Sequence, residues 1–282
     1  MAYLLIVINV IAGLCEGVFI KKYNSKHPHG GFVFTAVISL FATVYFLVSD
    51  KGGFVVIPEL LPYAIVSGLL YCFASILTYF ALSIGSFAMS MLVLSYSIVF
   101  SIGYGVFFLN EPVTVCSVVG FLLLAVSLFL TRRESVGGGI SFKWLIYITL
   151  SVIGSGMYSV VTRMQQIRFG GAYDNECLAI GLGLSAIILL VAGIFTDGKY
   201  MGEIMKYGIP YAMGAGIVNG FRNMLSLVVC LYLPISLSSA MGSGLKIIVS
   251  FVVSYVLFKE SFLKRQIVGV VVGAAALVLL NI

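Results

Sequence analysis

The chain has 282 residues, 61% of them hydrophobic and 9% charged, with 16 Lys and Arg against 10 Asp and Glu for a net charge of +6. Soluble domains carry about 25% charged residues, so this composition excludes a soluble globular protein and reads as a polytopic, all-α membrane protein. The basic excess lies mostly in short connections between apolar runs, which marks membrane topology and not a nucleic-acid surface.

Ten apolar segments follow one another, at about 2–20, 31–49, 60–82, 86–108, 112–130, 141–162, 173–195, 206–232, 236–258 and 264–280. The first lacks a basic leader and a small-residue cleavage site, so it reads as a retained helix. Pro28, Pro58, Pro62, Pro112, Pro210 and Pro234 all fall in connections or first turns, where a missing N–H costs little. The connections at Gly85 and Pro234 are very short, which makes segments 3 and 4, and segments 8 and 9, antiparallel neighbours. The five cysteines show no C-x-x-C spacing and read as small buried hydrophobes, not as metal ligands.

The second half repeats the first. At a shift of 149 residues Glu111 meets Glu260, Gly120 meets Gly269, Ala125 meets Ala274, Ser90 meets Ser239 and Ser101 meets Ser250. At a shift of 142, Val10, Ile11 and Val18 fall on Val152, Ile153 and Val160. An odd number of crossings flips the second copy, so the expectation is ten transmembrane helices in two inverted five-helix repeats, 1–133 and 144–282, joined by a linker at 134–143. Inverted repeats with a site at the bilayer midplane are a recurring design of secondary transporters.

Each copy carries an acidic residue at its last turn, Asn110-Glu111-Pro112 and Lys259-Glu260, followed by a glycine-bearing apolar helix. In this the chain resembles the EamA-type drug/metabolite transporter superfamily over nearly its whole length. The resemblance implies a ten-helix carrier with a central cavity lined mainly by segments 1, 3, 4, 6, 8 and 9, working by alternating access. It says almost nothing of the substrate. Ser261 stands where the first copy has Pro112, which implies a looser helix start there.

Three charges lie inside apolar segments. Lys246 sits in the middle of the run 236–260, near the midplane at ~1.5 Å per residue, where a lysine costs roughly 2.5–3.5 kcal/mol on insertion scales. Ser239, Gly242, Ser243 and Ser250 share its helical face. Arg222 lies mid-segment with Asn219, Asn223 and Ser226 on an adjoining face, and Glu16 shares a face with Asn9 and Gly13. Two readings stand side by side. Glu16 pairs structurally with Arg222 or Lys246; or two cations against one anion make a net-positive site for a carboxylate or phosphate, with Glu16 holding a substrate amine or a coupling proton. In the repeat, Ser97 stands opposite Lys246, Phe73 opposite Arg222 and Tyr158 opposite Glu16, so the charges break the pseudo-symmetry.

The substrate-binding candidates are therefore Lys246, Arg222, Glu16, Asn219, Asn223, Ser97, Tyr96, Tyr158 and Ser243, with Glu16 the proton-coupling candidate. Polar stripes at Ser151, Ser155, Tyr158 and Thr162, at Tyr71, Ser75, Thr78 and Tyr79, and at Tyr96, Ser97, Ser101 and Tyr104 supply further lining. Glycine pairs at 13/17, 216/220 and 269/273 read as packing seams, and Gly242 with Gly244 as a bending point. The expected function is secondary active transport of a small anionic or zwitterionic metabolite, proton-coupled or by exchange. The alternative is a broad proton-coupled exporter of neutral or cationic compounds. No enzyme is expected: the only histidines, His27 and His29, share one turn with no nucleophile–base or metal constellation, and no cofactor is implied. No nucleotide-binding loop of the G-x-x-x-x-G-K-[ST] type occurs. The partners are the small metabolite and the lipid bilayer, a monomer is compatible with the repeat, and the expected location is a plasma membrane of the bacterial inner-membrane type.

The connections after segments 1, 5, 7 and 9 carry 11 basic residues and those after segments 2 and 6 carry 3. The positive-inside rule then puts both termini outside. The family resemblance implies the opposite.

Overall fold

A computed structural model describes residues 2–27, 29–49, 53–111, 114–131, 141–259 and 264–279. In hydrocarbon every backbone N–H and C=O must be satisfied within its own segment, so long apolar runs become helices. They are α1 (Ala2–Asn24), α2 (Gly31–Ser49), α3 (Leu61–Ile84), α4 (Phe87–Leu94), α5 (Ile98–Phe108), α6 (Val115–Thr131), α7 (Phe142–Phe169), α8 (Asp174–Thr196), a short α9 (Met201–Glu203), α10 (Ile209–Tyr232), α11 (Ile235–Phe258) and α12 (Lys264–Leu279). Among the described residues eight helical stretches are long and apolar enough to cross a membrane, and no strand forms. Large apolar side chains such as Leu4, Val48, Phe107, Phe195 and Val256 stand exposed on the outside of the bundle, as lipid contact requires. The chain is an all-α, multi-pass membrane protein.

The helices fall close to the ten apolar segments; α1 runs four residues further, to Asn24, the short α9 precedes the eighth segment, and two other differences have a physical cause in polar contacts. The sixth segment continues to Phe169 as α7, because its polar last turns are buried: Gln166 donates to Asp174 Oδ2 (3.2 Å) and to the Leu227 carbonyl (3.0 Å). Gly170, at φ +61°, closes the helix in the left-handed conformation that glycine takes without strain. The fourth segment is broken into α4 and α5 by a 3₁₀ turn, Ser95–Ser97. Both serine hydroxyls bond back, Ser95 to the Met91 carbonyl (2.9 Å) and Ser97 to the Leu94 carbonyl (2.9 Å), a local competition with the helix ladder that apolar periodicity does not reveal.

Helix pairs set the architecture. α2 packs along α8 and α6 along α12; α1 packs on α10 and α3 on α7; α2 also packs on α10, and α3 on α8. Small residues permit the closest approaches. A Cβ on Gly68 would lie 2.5 Å from the Gly181 carbonyl oxygen, and one on Gly216 the same distance from that of Ile38. Gly273 faces Ser127, whose hydroxyl donates to the Gly269 carbonyl at 2.6 Å. Gly242 meets nothing closer than Val10 at 4.0 Å, and α11 runs unbroken through it.

Carboxylates from one half cap helices of the other. Glu111 accepts from the Ile235 and Ser236 N–H groups (3.0 and 3.1 Å) at the start of α11, in the space that Gly105 leaves by lacking a Cβ. Asp197 accepts from Phe32 and Val33 N–H (2.8 and 3.1 Å) at the start of α2. Asn110 and Lys259, equivalent at the 149-residue shift, both take positive φ, 52° and 51°. Glu260, the Pro112/Ser261 contrast and most of the 134–143 linker lie outside the described residues.

The end of the bundle that holds the α1–α2 connection is tied shut. Lys21 Nζ donates to the Leu82 and Gly85 carbonyls, both at 2.7 Å, and Asn24 Nδ2 to that of Tyr79 at 3.2 Å. Tyr23 stacks on Phe34 with ring centroids 4.2 Å apart, inside a buried cluster with Leu82, Phe87 and Trp144. The histidine turn is docked: His27 bonds Glu203 and stacks on Tyr207, and His29 stacks on Tyr200.

Candidate functional site

A cavity of about 350 Å³ lies within the bundle, in the size range of small-molecule sites. It is lined by α1, α3, the α4–α5 break, α7, α10 and α11, with single contributions from α8 and two from α2. Along its length it runs from Ile20 and Leu82 to Ile235 and Ser238 in the first turn of α11.

All three charges that the sequence places inside apolar segments reach it. Glu16, Arg222 and Lys246 line one cavity, each from near the middle of its helix. Glu16 and Arg222 pair: Oε2 lies 3.0 Å from Nε. The contact is ionic and not an aligned hydrogen bond, since the Nε–H itself makes none. Gly13, on the same face of α1 as Glu16, leaves the room: a Cβ there would sit 3.0 Å from Arg222 Cδ. The other carboxylate oxygen of Glu16 accepts from Asn219 Nδ2 at 2.7 Å, so both its oxygens are occupied.

From Asn219 the network continues. Asn223 Nδ2 donates to Asn219 Oδ1 (2.9 Å), and the Tyr158 hydroxyl donates to Asn223 Oδ1 (3.3 Å). Asn9 locks α1 to α10 from the other side, its Nδ2 donating to the Arg222 carbonyl (2.8 Å) and to Ser226 Oγ (2.9 Å). Asn219 is fully buried and Asn223 nearly so, which a wholly bonded amide chain tolerates and a broken one would not. Tyr71, whose ring centroid lies 5.7 Å from that of Tyr158, completes the aromatic side.

Lys246 differs from its two companions. Among the described residues its Nζ has neither a hydrogen-bond nor an ion-pair partner, although it lines the cavity with a carboxylate elsewhere in the wall. The outer Nη groups of Arg222 likewise donate no hydrogen bond among the described residues, and its side chain keeps 32% of its surface. The lining therefore presents two sets of free cationic donors against one carboxylate that is already engaged.

Of the nine residues singled out in the sequence, Lys246, Arg222, Glu16, Asn223, Ser97, Tyr158 and Ser243 line the cavity. Asn219 stands behind it and holds Glu16. Tyr96 is packed between two apolar clusters and does not line it. From the polar stripes, Ser75, Thr78, Ser101, Ser155 and Thr162 reach the cavity; Ser151 is buried beside it, bonded to Thr78 and to the Ala74 carbonyl, and Tyr79 belongs to the closed end. Tyr104 stacks on Phe108 instead. Asn9 and Ser159 are lining residues that the candidate set lacked. Asn9 carried a signal, its place one and two turns before Gly13 and Glu16; Ser159 continues the α7 stripe one turn after Ser155.

No family model matches the chain, and no curated protein matches it. Among solved structures 28 chains match. One, described only as "Crystal structure of protein", is 14% identical, covers 99% of this chain and 98% of its own, and superposes with a TM-score of 0.67. At that identity the likeness carries the fold alone.

Proposed function

We propose that the chain is a secondary transporter of the EamA-type drug/metabolite kind, a ten-helix carrier that moves a small anionic or zwitterionic metabolite across a plasma membrane by alternating access. The observation that carries the reading is Lys246, a mid-helix ammonium that lines the cavity within the bundle with no hydrogen-bond or ion-pair partner among the described residues. Such a charge is costly in a membrane and is retained where a ligand completes it.

The pairing of helices supports inverted repeats. α1 on α10 corresponds to α7 on α3 when the halves are exchanged, and α2 on α10 corresponds to α8 on α3. The pairs α2–α8 and α6–α12 map onto themselves, and the left-handed Asn110 and Lys259 occupy matching turns. The tied end at Lys21 is consistent with a carrier closed on that side. The engagement of Glu16 by both Arg222 and Asn219 disfavours the alternative exporter, which needs that carboxylate free for a proton or a cation.

The test is a stabilisation screen of the purified protein against amino acids, organic acids, sugar phosphates and nucleobases, with hits taken to uptake in proteoliposomes. A hit that is transported by the wild type and lost in Lys246→Ala is the expected result. Hits that bind Lys246→Ala undiminished, or that never accumulate in the vesicles, would overturn the proposal.

A further inference from the structure

We infer that the cavity ligand is a monoanion bearing hydroxyl groups, of the hydroxy-acid or sugar-acid class, and not an amino acid; the inference rests on the transporter reading above. The first support is charge. Lys246, Arg222 and Glu16 sum to one positive charge in the lining, so a monoanion leaves the occupied site neutral. A dianion would leave it negative and a zwitterion positive, each a residual charge in a low-dielectric interior. The free donors are those a carboxylate needs: the Lys246 ammonium and the outer Nη groups of Arg222, whose inner Nε is taken by Glu16.

The second support is the direction of the hydroxyls. Thr35 donates to the Gly31 carbonyl, Ser75 to Cys72, Ser97 to Leu94, Thr162 to Tyr158 and Ser238 to Ile235, at 2.7 to 3.2 Å. All five line the cavity with their protons committed to their own helices, so what they offer inward is lone pairs. Ser155, Ser239 and Ser243 line the cavity too and keep their protons, but five fixed acceptors suit a ligand that brings several donors of its own. An ammonium is also a donor, but it would need a counter-charge, and both oxygens of Glu16 are occupied. Alcohol groups meet the same acceptors with no charge to neutralise.

The experiment uses the purified full chain in detergent and two matched series. One is lactate, propionate, alanine and lactamide; the other is gluconate, hexanoate, glucosaminate, sorbitol and glucarate. Affinity is read by calorimetry in the wild type, in Lys246→Met and in Ser97→Ala. The expected result is that at least one hydroxy monoanion binds tenfold or more tighter than its deoxy, amino, neutral and dianionic counterparts. That binding is lost in Lys246→Met, which replaces the ammonium by an apolar side chain of similar length and whose folding is checked by its unfolding temperature, and the preference over the deoxy acid shrinks severalfold in Ser97→Ala. An amino acid that binds best, and depends on Lys246, overturns the hydroxy-acid class while leaving the transporter reading in place. Binding that is indifferent to Lys246→Met overturns both. No binding by any member of either series overturns the class.

Discussion

Replacing Glu16 by Gln is the sharpest perturbation of the pair that organises the site. At an effective dielectric of ~20, unit charges 3.0 Å apart attract by about 5.5 kcal/mol. Arg222 retains 32% and Glu16 15% of side-chain exposure toward the cavity, so solvent screening reduces the gross figure to roughly 2–3 kcal/mol. The amide of Gln keeps one acceptor for Asn219, so that bond survives and the loss is mainly ionic. The assay is a double-mutant cycle on thermal unfolding of the purified protein, with Glu16→Gln, Arg222→Met and the two combined. Each single variant is expected to lose stability, Glu16→Gln the more because it leaves a second unpartnered cation beside Lys246. The double variant is expected to recover most of the loss, with a coupling of about 2 kcal/mol. Strict additivity, within about 0.5 kcal/mol, would mean that the two side chains do not pair in the folded protein and would refute the reasoning.

Three other outcomes follow from particular contacts. Gly68→Ala drives a methyl into the Gly181 carbonyl and should lower the unfolding temperature clearly, whereas Gly242→Ala, in open space, should leave it within a degree or two; equal effects would refute the seam. Asp197→Ala removes the one carboxylate oxygen that accepts both N–H groups at the start of α2 and should cost about 1–2 kcal/mol, read by the same unfolding assay, with Asp197→Asn recovering part. If the positive-inside rule governs orientation, a tag at either terminus is reached from outside in intact cells while one in the basic α1–α2 connection is not; the reverse pattern favours the orientation implied by the family resemblance.

Much of the fold was legible because lipid leaves the chain few options. Apolar runs of about twenty residues become helices, and prolines marked their ends, so α2, α3 and α11 lie within two residues of their sequence limits. What escaped depends on polar contacts between distant segments. The apolar run of the sixth segment ends at 162, yet α7 continues because Gln166 finds Asp174 and Leu227 across the bundle, which no local pattern encodes. The Ser95–Ser97 break follows from two hydroxyls turning back on their own helix, where serine in a helix can equally face outward. For the site, the cost of charge in hydrocarbon singled out Glu16, Arg222 and Lys246, and all three meet in one cavity. The choice between partners did not follow from composition: it is the gap at Gly13 that seats Arg222, and not Lys246, against Glu16. The histidine turn read as a simple turn, since its ties to Glu203, Tyr207 and Tyr200 span more than 170 residues.

The Glu111 carboxylate, seated on the first two N–H groups of α11, acts as a depth gauge. From Ile235 to Lys246 is 11 residues, a run of about 16 Å at ~1.5 Å per residue, or half of a ~30 Å hydrocarbon layer. The level of the lysine in the bilayer is thus metered from a fixed point that belongs to the other half of the chain. Adding or removing one residue between them would shift the ammonium by only ~1.5 Å in height, but would swing it ~100° around the helix and out of the cavity. The length of that first stretch of α11 is therefore a tighter constraint on the site than the identity of the apolar residues that fill it.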